Sequence, residues 1–122
     1  MEPTFLPGRA PSELFGDFLE LHDRCVAAGL MDAAYQALAG ALHCAEASAS
    51  LRSASLVVEL ARFRQRRLDR EVPRHPLSTI SAQHRGQLPL FESLAVAGLA
   101  LKTRLEQSGD DSSRASSGAE GA

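Results

Sequence analysis

The chain has no tryptophan, one tyrosine and five phenylalanines, so aromatic side chains account for only 5% of it. β-Branched residues are sparse as well and strict period-2 alternation is missing, which argues against a sheet. No apolar run approaches the roughly 20 residues that a membrane-spanning helix needs; the longest, at 94–101, is far shorter. The first ten residues hold Pro3 and Pro7 rather than the apolar stretch of a signal peptide. These features set the expectation of a cytoplasmic protein without membrane association. The formal net charge of −2 points to no class of partner by itself.

What is present is alanine and leucine, within a hydrophobic content of 44%. Both are strong helix formers, and 122 residues allow one domain. The expectation is an all-α fold, a four-helix bundle or a stack of αα-hairpins. An extended arm at 1–11 precedes a helical domain at 12–107, and a disordered tail follows at 108–122. The arm is set by Pro3, Pro7, Gly8 and Pro11. The tail consists of small and polar residues without a large apolar side chain.

The first helix is expected from Ser12, a good N-cap, to about residue 28, with Glu13 favouring its dipole. Leu14, Phe18, Leu21 and Cys25 form its apolar row, flanked by Phe15, Leu19 and Val26. Gly29 suits the position just past its end. The second helix, 31–47, carries Met31, Tyr35, Leu38, Leu42 and Ala45 at helical spacing, with alanines between them. The third, 51–71, has Leu56, Val57, Leu60, Phe63 and Leu68 as its stripe and ends before Pro73, which disfavours α geometry at Val72. The connection at 73–87 is long for a compact domain and allows a short helical turn near 78–83. The fourth helix, from 88 or 89 to 107, is apolar on nearly every side at its centre. That pattern predicts burial all round, inside the domain or against a second copy of the chain.

Cys25 and Cys44 would pair only if they were level across the first hairpin. Their offset from its turn differs by about nine residues, or roughly 13 Å along a helix. A disulfide tolerates a Cα separation of only about 7 Å, so reduced, buried thiols are expected. The same offset separates His22 and Cys25 from His43 and Cys44, which disfavours a zinc site. No metal or cofactor is expected.

Residues 18–46 resemble one unit of the tetratricopeptide repeat, a helical hairpin that serves as a binding scaffold. Phe18 takes the large position and Leu21 the apolar position of its first helix, and Gly29 makes the turn. Ala34, Leu38 and Ala41 take the small, large and small positions of its second helix. His22 stands where the family has its first glycine and Cys25 where a tyrosine is usual, and no proline closes the unit near Glu46. The resemblance implies a protein-binding scaffold without chemistry of its own.

The strongest charge feature is Arg62, Arg64, Arg66, Arg67, Arg70 and Arg74, six arginines within thirteen residues. Arg62, Arg66 and Arg70 stack at i, i+4 spacing on a helix. Such a strip can clamp phosphates, meet an acidic protein surface, or simply be a solvated helix end. The acidic side of the first helix, Glu13, Asp17 and Glu20, is one candidate surface, within the chain or from a second copy. Phe63 is expected in the core, which leaves no aromatic for base stacking. His75 and His84 lie in the long connection beside Arg74 and Arg85, with Ser78, Thr79 and Ser81 nearby. Neither a nucleophile elbow nor a glycine-rich phosphate loop accompanies them, so no catalytic residue is assigned. The sequence therefore predicts a non-catalytic protein–protein interaction domain, an adaptor or subunit, with a homodimer through its fourth helix as one way to cover that helix. Its partner-binding candidates are Arg62, Arg66, Arg67, Arg70, Arg74, His75, His84 and Arg85. Nucleic-acid binding by the same arginines is the alternative.

Overall fold

The computed structural model describes residues 10–120, with side chains described as far as Gly109. Five helices follow one another: α1 (Pro11–Ala27), α2 (Met31–Ala47), α3 (Leu51–Glu71), α4 (Thr79–His84) and α5 (Leu90–Glu120). No strand occurs among the described residues, and the protein is all-α. Two antiparallel hairpins, α1–α2 and α3–α5, pack together through α2, which meets both α3 and α5.

Two of the turns have the same design. Gly29, at φ +76°, ends α1, and the Leu30 and Gly29 amides donate to the Cys25 and Val26 carbonyls at 2.9 and 3.0 Å. Ala49, at φ +50°, follows α2, and the Ser50 and Ala49 amides donate to the Ala45 and Glu46 carbonyls at 3.0 and 3.1 Å. Both are Schellman caps, which place one residue in the left-handed region. Glycine fits there without strain, whereas alanine does not. Ser50 then caps α3, its side chain accepting from the Ser53 amide at 3.1 Å.

The core is built from small residues. Ala34, Ala41, Ala45, Ala54, Ala61 and Ala95 have no exposed surface, and Leu38, Val57 and Phe91 fill the space between them. Alanines at the contact let helices approach closely, so some large side chains end at the rim instead. In α1 the buried positions are Phe15 and His22, while Leu14 and Leu21 stand partly in solvent. The expected row of Leu14, Phe18, Leu21 and Cys25 is thus the edge of the buried arc rather than its centre. In α3, Ala54, Val57, Val58, Ala61, Gln65 and Leu68 face inward, and Phe63, expected in the core, is 43% exposed.

Three further expectations change. Helix α1 begins at Pro11 with Ala10 as its N-cap, and no side chain caps it; Ser12 lies inside the helix. Helix α5, expected to be covered on all sides, buries Phe91, Leu94, Ala95 and Leu101 along one face and leaves Val96 50% exposed. Its start is Leu90, with the Pro89 carbonyl accepting from the Ser93 amide at 2.9 Å. It also continues beyond residue 107 to Glu120, across most of the segment read as a tail; no proline follows Pro89 to interrupt it. The arm at 1–9 and residues 121–122 lie outside the described residues.

Cys25 and Cys44 are both free thiols, at opposite ends of α1: Cys44 shares a depression with Pro11 and Leu14, near the start of that helix. Among the described residues no three His, Cys, Asp or Glu side chains converge as a metal site would require. No helix among the described residues is long and apolar enough to cross a membrane.

Candidate functional site: a polar groove beside the arginine helix

The C-terminal half of α3 has two polar edges, and their separation follows from helical spacing. Arg62, Arg66 and Arg70 recur every four residues and face solvent. Gln65 and Asp69, also four apart, sit at the border of the buried side, where they tie down the connection to α5. The Gln65 amide donates to Asp69 Oδ1 at 3.0 Å and to the Leu77 carbonyl at 3.1 Å. Asp69 also accepts from the Thr79 backbone amide at 2.8 Å and from its hydroxyl at 2.6 Å. A carboxylate on an amide in the first turn of α4 acts as a cap supplied from another helix.

The connection folds by local hydrogen bonding. Val72 ends α3 before Pro73, and the His75 and Ser78 amides then donate to the Val72 and His75 carbonyls, both at 2.9 Å. His75 Nδ1 accepts from the Leu77 amide at 3.0 Å. Ser78 is buried and caps α4, accepting from the Ser81 amide at 3.1 Å. Arg85 donates to the Pro76 carbonyl at 2.9 Å and to Gln87 Oε1 at 3.3 Å. His75, Ser78, Ser81 and Arg85 are therefore parts of the folded connection. The Ser78 and Ser81 side chains meet in the cap of α4, the Ser78 hydroxyl 3.0 Å from that of Ser81.

Between α3, α4 and the start of α5 these ties leave a groove of about 510 Å³. Arg62, Arg66, Gln65 and Asp69 line it from α3, Thr79 and Gln83 from α4, and Glu92 from α5. Leu88, 62% exposed, and Pro89 add an apolar stretch to its wall. Among the described residues Arg62, Arg66 and Arg70 make no hydrogen bond or ion pair. Their guanidinium groups are free to receive a ligand.

The eight arginine and histidine candidates do not gather at one place. Arg62 and Arg66 meet in the groove. Arg67 points to the other side of α3, where it lies with Arg64, Val26 and Met31 around a smaller depression. There it is paired with Glu71, its Nε 3.0 Å from Oε1, an exposed contact worth little. Arg70, Arg74 and His84 are exposed and outside the groove lining. Burial, reinforced by Arg67 and opposed by Asp23 and Glu71, lowers the Arg64 pKa, and its Nε has no partner.

Phe63 changes the reading of the arginine helix. The guanidinium groups of Arg64 and Arg67 lie 5.5 and 5.8 Å from its ring centre, a cation–π arrangement on an exposed aromatic. The groove residues that sequence reasoning missed are Gln65, Asp69 and Glu92; Thr79 and Gln83 belong to the connection around His75–Arg85 that it points to. Asp69 could be seen only as a diluent of the positive charge, because its partner Thr79 lies across a connection whose path periodicity does not reveal.

Scans against protein-family models, curated proteins and solved structures found no match to this chain.

Proposed function

We propose that the protein is a non-catalytic interaction domain, an adaptor or a subunit of a complex, whose partner engages the groove at Arg62 and Arg66. The observation carrying this reading is the pair of unpaired arginines, one helical turn apart, on a groove that also offers side-chain amides and an exposed leucine. Arginine beside apolar surface is a frequent anchor of protein interfaces. The hairpin at 18–46, with Ala34, Leu38 and Ala41 fully buried, supports a tetratricopeptide-like scaffold. The exposed Val96, Ala97 and Ala100 of α5 support a second copy as one partner. Two free thiols suit the reducing cytoplasm.

A second reading is nucleic-acid binding, and Phe63 favours it: an exposed aromatic between arginines is a stacking element. Recovery of partners on the tagged full chain, with and without nuclease, separates the two. A discrete protein that survives nuclease supports the adaptor reading. Nucleic acid alone, bound with a steep loss in salt, replaces it with the second.

A further inference from the structure

The arginine groove carries both signs of charge, and they stand on different walls. Arg62 and Arg66 come from α3 and Glu92 from the first turn of α5, where a carboxylate suits the helix dipole. The two helices run antiparallel, and Gly98 faces Val58. Glu92, six residues before Gly98, is therefore level with about residue 64, between the two arginines along the axis. Among the described residues, however, Arg62, Arg66 and Glu92 make no ion pair or hydrogen bond. Asp69, the other carboxylate of the lining, already accepts three hydrogen bonds from Gln65 and Thr79.

This pattern selects among anions. A polyanion such as a nucleic-acid backbone would meet Glu92 as a like charge, and Arg70 and Arg74, which would extend a phosphate track, lie outside the lining. The groove's volume of about 510 Å³ falls in the range of roughly 300–1,000 Å³ typical of compact ligand sites. It suits a few residues of peptide rather than a folded surface. In an extended segment successive side chains point to opposite sides, so neighbouring residues reach different walls. An acidic side chain accepts from the planar forks of Arg62 and Arg66, and a basic neighbour meets Glu92. Exposed Leu88 offers an apolar contact and exposed Gln83 a side-chain amide for the segment's backbone.

We propose that the occupant of the groove is an extended peptide segment with an acidic and a basic residue side by side, the first on Arg62 and Arg66 and the second on Glu92. The proposal rests on the reading of this groove as the partner site and gives that partner its chemistry. A random peptide library selected on the tagged full chain tests it. Enriched peptides are expected to carry the acid–base pair beside an apolar residue. One of them, synthesised, should bind R62E/R66E about tenfold or more weakly, and E92K likewise, because like charges are then brought together. Replacing its basic residue by glutamate should restore binding to E92K, which also shows that this variant is folded. Purely acidic peptides, lost with R62E/R66E but indifferent to E92K, overturn the proposal and leave the groove as the partner site. Peptides indifferent to R62E/R66E overturn both. No enrichment overturns the proposal alone, since a folded partner surface remains to engage the arginines. Tighter binding of a single-stranded oligothymidylate than of any enriched peptide overturns both in favour of nucleic acid.

Discussion

The two hairpins solve the same packing problem with different polar parts. Each is closed by a glycine in mid-helix: Gly40 under Phe18 in α1–α2, and Gly98 against Val58 in α3–α5, where an added Cβ would stand 2.6 Å from a Val58 methyl. The first hairpin has a short turn and one buried polar side chain, His22, of which 1% is exposed. Its Nδ1–H donates to the Ala34 carbonyl at 2.7 Å. That bond fixes the tautomer, so Nε2 of the neutral ring is a bare acceptor, buried without a partner and with the ring edge-on to Phe91. The second hairpin has a long connection held by Gln65, Asp69 and Thr79. With a tight turn already joining its helices, the first needs its polar group only for one bond between α1 and α2. The long connection of the second obliges its polar groups to hold a path, and that path creates the groove.

The largest effect is expected at the closing glycines. Gly40→Val destabilises the fold by about 1–3 kcal/mol, the usual penalty of overpacking, read as a lower thermal midpoint. With alanine the two sites should separate. At Gly40 three ring atoms of Phe18 lie within 3.0 Å of the new Cβ, at Gly98 a single methyl does. The Phe18 ring, however, is half-buried beside an open depression and can swing aside, whereas Val58 is buried and β-branched. Gly98→Ala is therefore the more damaging, and the reverse order would contradict this difference between the hairpins.

Next comes Asp69→Ala, which removes the acceptor of three hydrogen bonds, from Gln65, the Thr79 amide and the Thr79 hydroxyl. A loss of about 2 kcal/mol is expected for bonds to a charged group at a half-buried site. Hydrogen exchange should speed up across 77–84 while α1 and α2 keep their protection. Uniform loss of protection would mean that the connection is not a separate unit.

The buried histidine gives the first hairpin a pH dependence. Burial lowers the His22 pKa; the bond to Ala34 opposes this, Arg64 adds to it, and Asp23 opposes it. The unfolded chain then takes up a proton first as the pH falls through the ordinary histidine value of about 6.5. Stability contributed by the neutral ring is full above that value and is lost below it, down to the folded-state pKa. Denaturant titrations from pH 8 to pH 5 should show this fall, and His22→Leu should flatten it.

The smallest effect sharpens the comparison of the turns. Ala49→Gly should stabilise by about 0.5–1 kcal/mol by relieving a left-handed alanine, and Gly29→Ala should destabilise by a similar amount. Both can be read from denaturation midpoints.

The all-α fold was legible because alanine and leucine dominate and the breaks at Gly29, Ser48–Ser50 and Pro73 are clear. Helices α2 and α3 therefore start and stop where spacing places them. Which arc of each helix is buried was less legible. Reading by large apolar residues favours Leu14, Leu21, Leu56 and Phe63, but in an alanine-packed core the close contacts belong to the small residues. The same reasoning overestimated the burial of α5, whose exposed face is short side chains around Val96. The arginines of α3 could be read as a strip. Their division between two sides of the helix, and the groove that Arg62 and Arg66 share with α4, required the path of the connection held by Asp69.

The most direct measurement of the central claim compares partner binding by the charge-reversed pair R62E/R66E with that by R70E/R74E. Both pairs remove the same charge from neighbouring positions, but only the first lies in the groove. Binding lost with R62E/R66E and largely retained with R70E/R74E is the predicted result. Equal losses would make the arginines a diffuse charge, and full binding by R62E/R66E would contradict the assignment of the groove as the partner site.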